Sequence, residues 1–213
     1  MASYSDFFDY VRPSVPQAPI PLLTHHVREA VIDFCRATKL YRSEASIDSV
    51  AGTAQYTFGL PPNTDLVDVL SAAYENRPLD PASPNELDGF IPKWRTEQGM
   101  VEFYFLPTPA TPTIRLVRIP DESVTGAIHV TAAVAPTRAS TDCPDWLLAR
   151  YSNTVADGAL GALLKIREEP WYDPERALYH ERLFMIALGA GNAQAGRGNT
   201  RAPLRTRTVA RIE

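Results

Sequence analysis

PDWLLARYSNTVADGALGALLKIREEPW, running from Pro144 to Trp171, is the stretch whose reading decides the fold. Leu147, Tyr151, Val155, Ala159, Ala162, Leu163 and Ile166 recur at steps of three and four, the period of one buried helical stripe. Arg150, Asn153, Asp157 and Lys165 fall on the other side. Asp142 and Pro144 suit a helix start and Pro170 an end, so the spacing predicts a spine of roughly 40 Å at 1.5 Å per residue. Its centre, Gly158-Ala159-Leu160-Gly161-Ala162, is small. A glycine inside a helix costs about 1 kcal/mol relative to alanine, so a neighbouring backbone is expected to pack close there.

Upstream, from Ile20, the pattern is also helical: Leu23, Val27, Ala30, Val31, Phe34 and Thr38 share a face, with His25, Arg28, Glu29 and Arg36 away from it. Before it, residues 1–19 carry Phe7, Phe8 and Tyr10 and then Pro13, Pro16 and Pro19, which reads as an extended arm whose aromatics dock on the domain. Between about residues 44 and 140 the period changes to two. Ser46–Val50, Ala54–Phe58, Leu66–Ala72, Val101–Leu106, Ile114–Ile119 and Ile128–Val134 are short runs of strand-forming residues. Turn chemistry such as Leu60-Pro61-Pro62-Asn63 and Asp80-Pro81-Ala82-Ser83-Pro84 separates them. Trp94 is expected to plug this sheet or cap it against the helices.

Downstream, Asp173-Pro174-Glu175 supplies a helix start. A third helix should follow with Tyr179, Leu183, Ile186, Ala187 and Ala190 on one face and Phe184 beside it, packing antiparallel on the spine. From Gly189 the apolar period is lost, and the end is expected to order only on docking. The fold class is therefore α+β: a helical core of three main helices, an inserted antiparallel β domain, and extended N- and C-terminal arms. The expected division is an N-terminal arm at 1–19, a helical core at 20–43 and 141–193, the β insertion at 44–140, and a basic tail at 194–213.

Charge is uneven along the 213 residues. The chain holds 21 basic and 25 acidic residues, net −4. From Ala190 to Glu213 there are five arginines and one acid, net +4, which leaves −8 for the rest. An acidic body with a basic tail suggests a tail that meets something other than its own body. No apolar run approaches the ~20 residues of a membrane span. The start lacks the layout of a signal peptide, and Cys35 and Cys143 read as reduced thiols, which points to synthesis in a cytoplasm. Prolines (19) outnumber glycines (11) and cluster between elements, as rigid connections do.

Motifs that carry chemistry are missing. His25-His26 with Cys35 lacks the second ligand pair that a four-coordinate zinc site needs, so no metal is expected. Gly191 to Gly198 has the glycine spacing of a phosphate loop, but arginine and glycine replace Lys-[Ser/Thr] and a helix rather than a strand precedes it. No G-x-S-x-G, HExxH or paired CxxC occurs. The adjacent carboxylates Glu168-Glu169 do not face each other on a helix. No catalytic residue, cofactor or enzyme activity is expected.

The segments VPQAPIPLLTHHVREAVIDFCRATKLYR and DCPDWLLARYSNTVADGALGALLKIREEPWYDPERALYHERLFMIALGAGNAQA resemble the head-to-tail adaptor (connector or tail tubular) proteins of short-tailed bacteriophages. The shared features are Phe34-Cys35 near the end of the first helix, Pro144-Asp145 leading the spine, Gly158-Ala159 at its centre and Pro170-Trp171 at the corner. QYTFGLPPNTDLVDVLSAAYENRPLDP is similar to the family's first strands. The resemblance implies a structural virion protein at the head–tail junction. Such a protein forms a homo-oligomeric ring, usually of twelve subunits, between the portal protein and the tail nozzle or tube. Double-stranded DNA passes through it without sequence-specific contact, and tail fibres are a further partner.

By position, the tail residues Arg197, Arg201, Leu204, Arg205, Arg207 and Arg211 would dock on the portal. Tyr151, Val155, Gly158, Ala159, Gly161, Ala162 and Trp171 would form the helix packing and subunit wall. The alternative is a nucleic-acid-binding module that grips phosphates with the same arginines, recognisable by steep weakening with salt. An enzyme, for example a lysis hydrolase, is a third reading that no motif supports.

Overall fold

The computed structural model describes residues 1–91, 93–109 and 111–198. Residues near the N-terminus do not run as an extended arm. Strand β1 (Ala2–Ser3) pairs antiparallel with Asp142–Cys143, and a 3-10 turn (Tyr4–Phe7) leads into α1 (Phe8–Val11). A capping box starts the turn: the Asp6 carboxylate accepts from the Ser3 N–H at 2.9 Å, and the Ser3 hydroxyl oxygen faces the first N–H groups. Winding the segment buries Tyr4, Phe7, Phe8 and Val11 and leaves Tyr10 exposed. Two aromatics in sequence can both be buried on a tight turn, whereas an extended strand would point one of them outward.

Chain contacts divide the molecule into two units, one of residues 1–40 with the chain from 141 onward, the other of Tyr41–Ser140. The first is helical. α2 (Ile20–Thr38) buries Leu23, Val27, Ala30, Val31, Phe34 and Thr38, the face that the periodicity selects, together with Ile32 and Cys35. It stops at Lys39, whose left-handed backbone (φ 54°) caps it.

In the second unit the strands are β2 (Arg42–Ile47), β3 (Gln55–Thr57), β4 (Thr64–Tyr74), β5 (Arg77–Pro81), β6 (Phe103–Phe105), β7 (Thr113–Val117) and β8 (Ile128–Pro136). They form one seven-stranded sheet in the order β2-β8-β4-β5-β6-β7-β3. Its pairs are antiparallel except β5 with β6, which run parallel (Asp80 opposite Phe103). The sheet is therefore mixed rather than purely antiparallel. The cause is the crossover between those strands, which contains α3 (Pro84–Phe90) and returns the chain in the same direction. α3 is started by a second capping box, Ser83 with Glu86, and by Pro84 in its first turn. β8 lies inside the sheet, and Ile128, Val130, Ala132 and Val134 join Leu66, Val69, Ile114 and Leu116 in its core. Trp94 packs with Leu87 and Val117, and its indole N–H donates to Asp88 at 2.8 Å, so it plugs the sheet beside α3.

The chain returns to the helical unit through β9 (Asp142–Cys143), α4 (Asp145–Leu163) and α5 (Pro174–Gly196). The spine is shorter than its pattern predicts. α4 holds 19 residues, close to 28 Å, and Pro144 is its N-cap residue while Asp142 is tied up in β9. It ends at Leu163, before Pro170, because the chain must turn there: Leu163 and Leu164 are both fully buried, and the Asp173 N–H donates back to the Leu164 carbonyl. Ile166 consequently lies beyond the helix, and Ala162 is exposed rather than on the buried stripe. α5 is longer than expected. It continues through Gly196, past the point at Gly189 where the apolar period is lost, so residues 194–196 are helix rather than tail.

Candidate functional site

The helical unit shows where the small residues of the spine are spent. A Cβ placed on Gly158 would lie 3.0 Å from both the Ala30 methyl of α2 and the Phe184 ring of α5, and one on Gly161 would lie 2.7 Å from Glu181 of α5. On α5 itself, a Cβ on Gly191 would lie 2.6 Å from Thr38 of α2. Each glycine therefore marks a close approach between two helices of the same unit, tightest at Gly191 against the buried Thr38, whereas at Gly161 the nearest atom belongs to the flexible Glu181 side chain. Ala159 and Val155 are buried in the same seam.

Polar contacts tie α4 to α5. The Tyr151 hydroxyl donates to Gln194 at 3.1 Å, His180 Nδ1 meets Asp157 at 2.8 Å, and Lys165 pairs with Glu181. Tyr151 leaves helical geometry (φ −127°, ψ 18°), which kinks α4 and sets its ring against Phe34, with centroids 4.7 Å apart. Trp171 is buried at the corner before α5. The Asp173 side chain caps α5 by accepting from the Arg176 N–H, and the Arg176 guanidinium donates to Ser14 Oγ at 3.1 Å. These contacts hold α5 in place.

With α5 fixed, its outward face is the unusual feature. Tyr179 and Ile186, which the periodicity places inward, are 59% and 70% exposed, and Leu178 and Met185 beside them are 48% and 66% exposed. Ala190 is exposed as well. The inward face consists instead of Ala177, Gly191 and Ala195, with Phe184, Ala187 and Leu188 half-buried. A helix that packs this closely selects its buried face by size, and the large apolar residues are left outside. The corrected assignment creates an open apolar ridge that reading the sequence did not find. The signal for it was the spacing of the small residues Ala177, Gly191 and Ala195, whole turns apart on the side that also carries Phe184.

A groove of about 790 Å³ opens beside this face, lined by Ala37, Gly158, Ala162, Phe184, Met185 and Leu188 and edged by Asp33, Arg36 and Glu181. A smaller cleft of about 270 Å³ beside Trp171 and Arg176 is polar. In the smaller cleft Ser14 Oγ and the Asp173 carboxylate each accept a hydrogen bond from Arg176. Both thiols are buried: desolvation raises the Cys143 pKa to about 12 and pushes Cys35 above the ordinary thiol range, so neither is an available thiolate at neutral pH. Burial, and then the neighbouring His25, lower the pKa of His26. Among the described residues no three His, Cys, Asp or Glu side chains stand as a metal-binding group, and no helix is long and apolar enough to cross a membrane.

Of the tail residues, Arg197 is exposed just beyond α5. Arg201, Leu204, Arg205, Arg207 and Arg211 lie outside the described residues. Tyr151, Val155, Gly158, Ala159, Gly161 and Trp171 come together in the three-helix unit, while Ala162 faces the groove.

Compared with known proteins, residues 2–207 match the SU10 adaptor protein family. No curated protein matches the chain.

Proposed function

The chain belongs to the SU10 adaptor protein family, a structural head–tail adaptor of bacteriophage virions, and on that premise we propose that it is a ring subunit seated between portal and tail nozzle. The virion is that of a short-tailed phage, the ring holds about twelve copies, and the packaged genome passes through its bore. The role is structural, and no step of chemistry is assigned to it.

The observation that carries this reading is the ridge on α5. Its four large apolar side chains expose on the order of 400 Å², taking ~150–250 Å² for a large side chain, a size at which a protein's largest apolar patch is often functional. The helical unit would make the wall of the ring, and the sheet-bearing insertion would meet nozzle or fibres. Arg197 leads into a tail whose Arg201, Leu204, Arg205, Arg207 and Arg211 dock on the portal, ordering as they do so. The acidic body, net −8 outside the last 24 residues, would keep duplex DNA from adhering during transit, since like charge repels the phosphate backbone. Negative-stain microscopy of the chain mixed with its portal tests the proposal. A ring of added density on one end of the portal is expected, and bare portals at saturating protein would overturn it.

A further inference from the structure

We infer that the subunit-to-subunit contact is head-to-tail between identical chains: the α5 ridge of one copy enters the groove between α2 and α5 of the next. The inference rests on the ring reading and names the surfaces that build the ring.

Both halves of the contact are present on one three-helix unit. The ridge consists of Leu178, Tyr179, Met185 and Ile186, with Arg182 between them. The groove has a floor of small residues, Gly158 and Ala162, and walls from Ala37, Phe184 and Leu188. Small residues at its base leave room for large apolar side chains, and 790 Å³ is space for several. The ridge supplies such side chains, and the floor of the groove lacks them.

The two surfaces are distinct but adjacent. Successive residues of an α-helix are turned by about 100°, which puts Leu188 of the groove about 160° from Ile186 but about 60° from Met185, the residue that borders both surfaces. A subunit whose donor and acceptor patches differ generates a closed ring when the rotation closes, whereas a self-complementary patch stops at a dimer. The polar edges carry both signs: Arg36 on the rim of the groove offers a cation to Glu175 on the flank of the ridge, while Glu181 on that rim is already paired with Lys165. In area, the ridge alone is on the order of half of the ~800 Å² that each partner contributes to a standard interface, which is the share expected of its apolar centre. Gly189, one turn beyond Met185 on the same outward side, fits the same account. A Cβ there would meet nothing within 4 Å among the described residues, whose packing therefore does not require this helix-weakening residue.

The test uses two full-length variants, one for each face. Ile186→Glu disables the ridge and Ala37→Glu disables the groove; both positions are exposed, so each variant should melt as the parent does. Met185 is avoided because it borders both surfaces. Native mass spectrometry is run at a concentration where the unmodified chain assembles, with portal supplied if the free chain does not. Each variant alone should lose assembly at least tenfold. Mixed in equal amounts, they should form a two-chain species that grows no further, because the intact groove of one accepts the intact ridge of the other. Assembly of either variant at the parent's level overturns the inference, and so does a mixture that gives no two-chain species. If the unmodified chain fails to assemble even on portal, the ring reading falls first and the inference with it.

Discussion

Gly189 and Gly191 lie two residues apart on α5, and the same substitution should have opposite effects at the two positions. At Gly189 an added methyl meets nothing within 4 Å, so Gly189→Ala gains only helix propensity, about 1 kcal/mol. At Gly191 the methyl would sit 2.6 Å from Thr38 Cγ2 and 3.3 Å from its Cβ, about 1 Å inside ordinary carbon contact. Thr38 cannot swing away at little cost. It is fully buried, and its hydroxyl donates to the Phe34 carbonyl at 2.7 Å, which fixes its rotamer. Overpacking of this kind costs about 2–3 kcal/mol, and the propensity gain offsets about 1, so Gly191→Ala should destabilise by about 1–2 kcal/mol. The two variants then differ by about 2–3 kcal/mol, roughly 5–10 °C in melting temperature for a chain of this size. Thermal and urea unfolding of the dilute, unassembled protein measure the difference. If Gly191→Ala stabilises as Gly189→Ala does, the close approach of α5 to α2 is wrong, and with it the assignment of the outward face.

Four further outcomes follow from particular contacts. Tyr151→Phe removes the hydroxyl from Gln194 and should cost about 0.5–1.5 kcal/mol in urea unfolding; no loss would mean the bond does not hold α4 to α5. Deleting residues 199–213 should leave the melting curve unchanged but abolish attachment to portal, whereas deleting from Gly191 should lower the melting temperature as well, because Gly191 and Ala195 are buried. Normal attachment after the shorter deletion would remove the docking role of the tail.

The Asp88 carboxyl is held below its ordinary value of 3.8, first by the Arg95 guanidinium and then by the Trp94 N–H. The folded state thus binds fewer protons than the unfolded one, and the contribution of Asp88 is full above pH 3.8 and fades as the pH falls below it. The stability gap between the parent and Asp88→Asn should narrow over that range, and a gap unaffected by acid would refute the assignment. Finally, a maleimide should label neither Cys35 nor Cys143 in the native protein at pH 8 and both in urea; labelling of the native protein would contradict their burial.

How much of the fold was legible depended on whether size and hydrophobicity pointed the same way. On α2 they agree: Leu23, Val27, Val31 and Phe34 are the large apolar residues and also the buried ones. On α5 they disagree. Its buried face is small, and periodicity alone turns Tyr179 and Ile186 inward, so the ridge was visible only once the close packing of Gly191 on Thr38 was known. The spine's start and end were misplaced for a similar reason. Asp142 is a good capping residue by type, but pairing with β1 claims it, and the burial of Leu164 ends the helix before any proline does.

In the sheet, the alternation in β4, β7 and β8 located those strands. β5 and α3 were read as a proline-rich turn, although Ser83-Pro84-Asn85-Glu86 carries the serine, proline and glutamate spacing of a capped helix start. Of the spine's glycines, Gly161 has a neighbouring backbone close by, that of Glu181, as the sequence suggests, whereas Gly158 meets the side chains of Ala30 and Phe184; that these partners belong to α2 and α5 of the same unit needed coordinates.

The most direct test of the account is to weigh the protein alone and with its portal by native mass spectrometry. The portal complex should gain the mass of a full set of chains, about as many as the portal has subunits, with few partly loaded species because each added copy presents a ridge or groove to the next. Spectra in which the portal keeps its own mass and the chain stays a 23.5 kDa monomer at every ratio would contradict the claim that this protein is a ring-building adaptor.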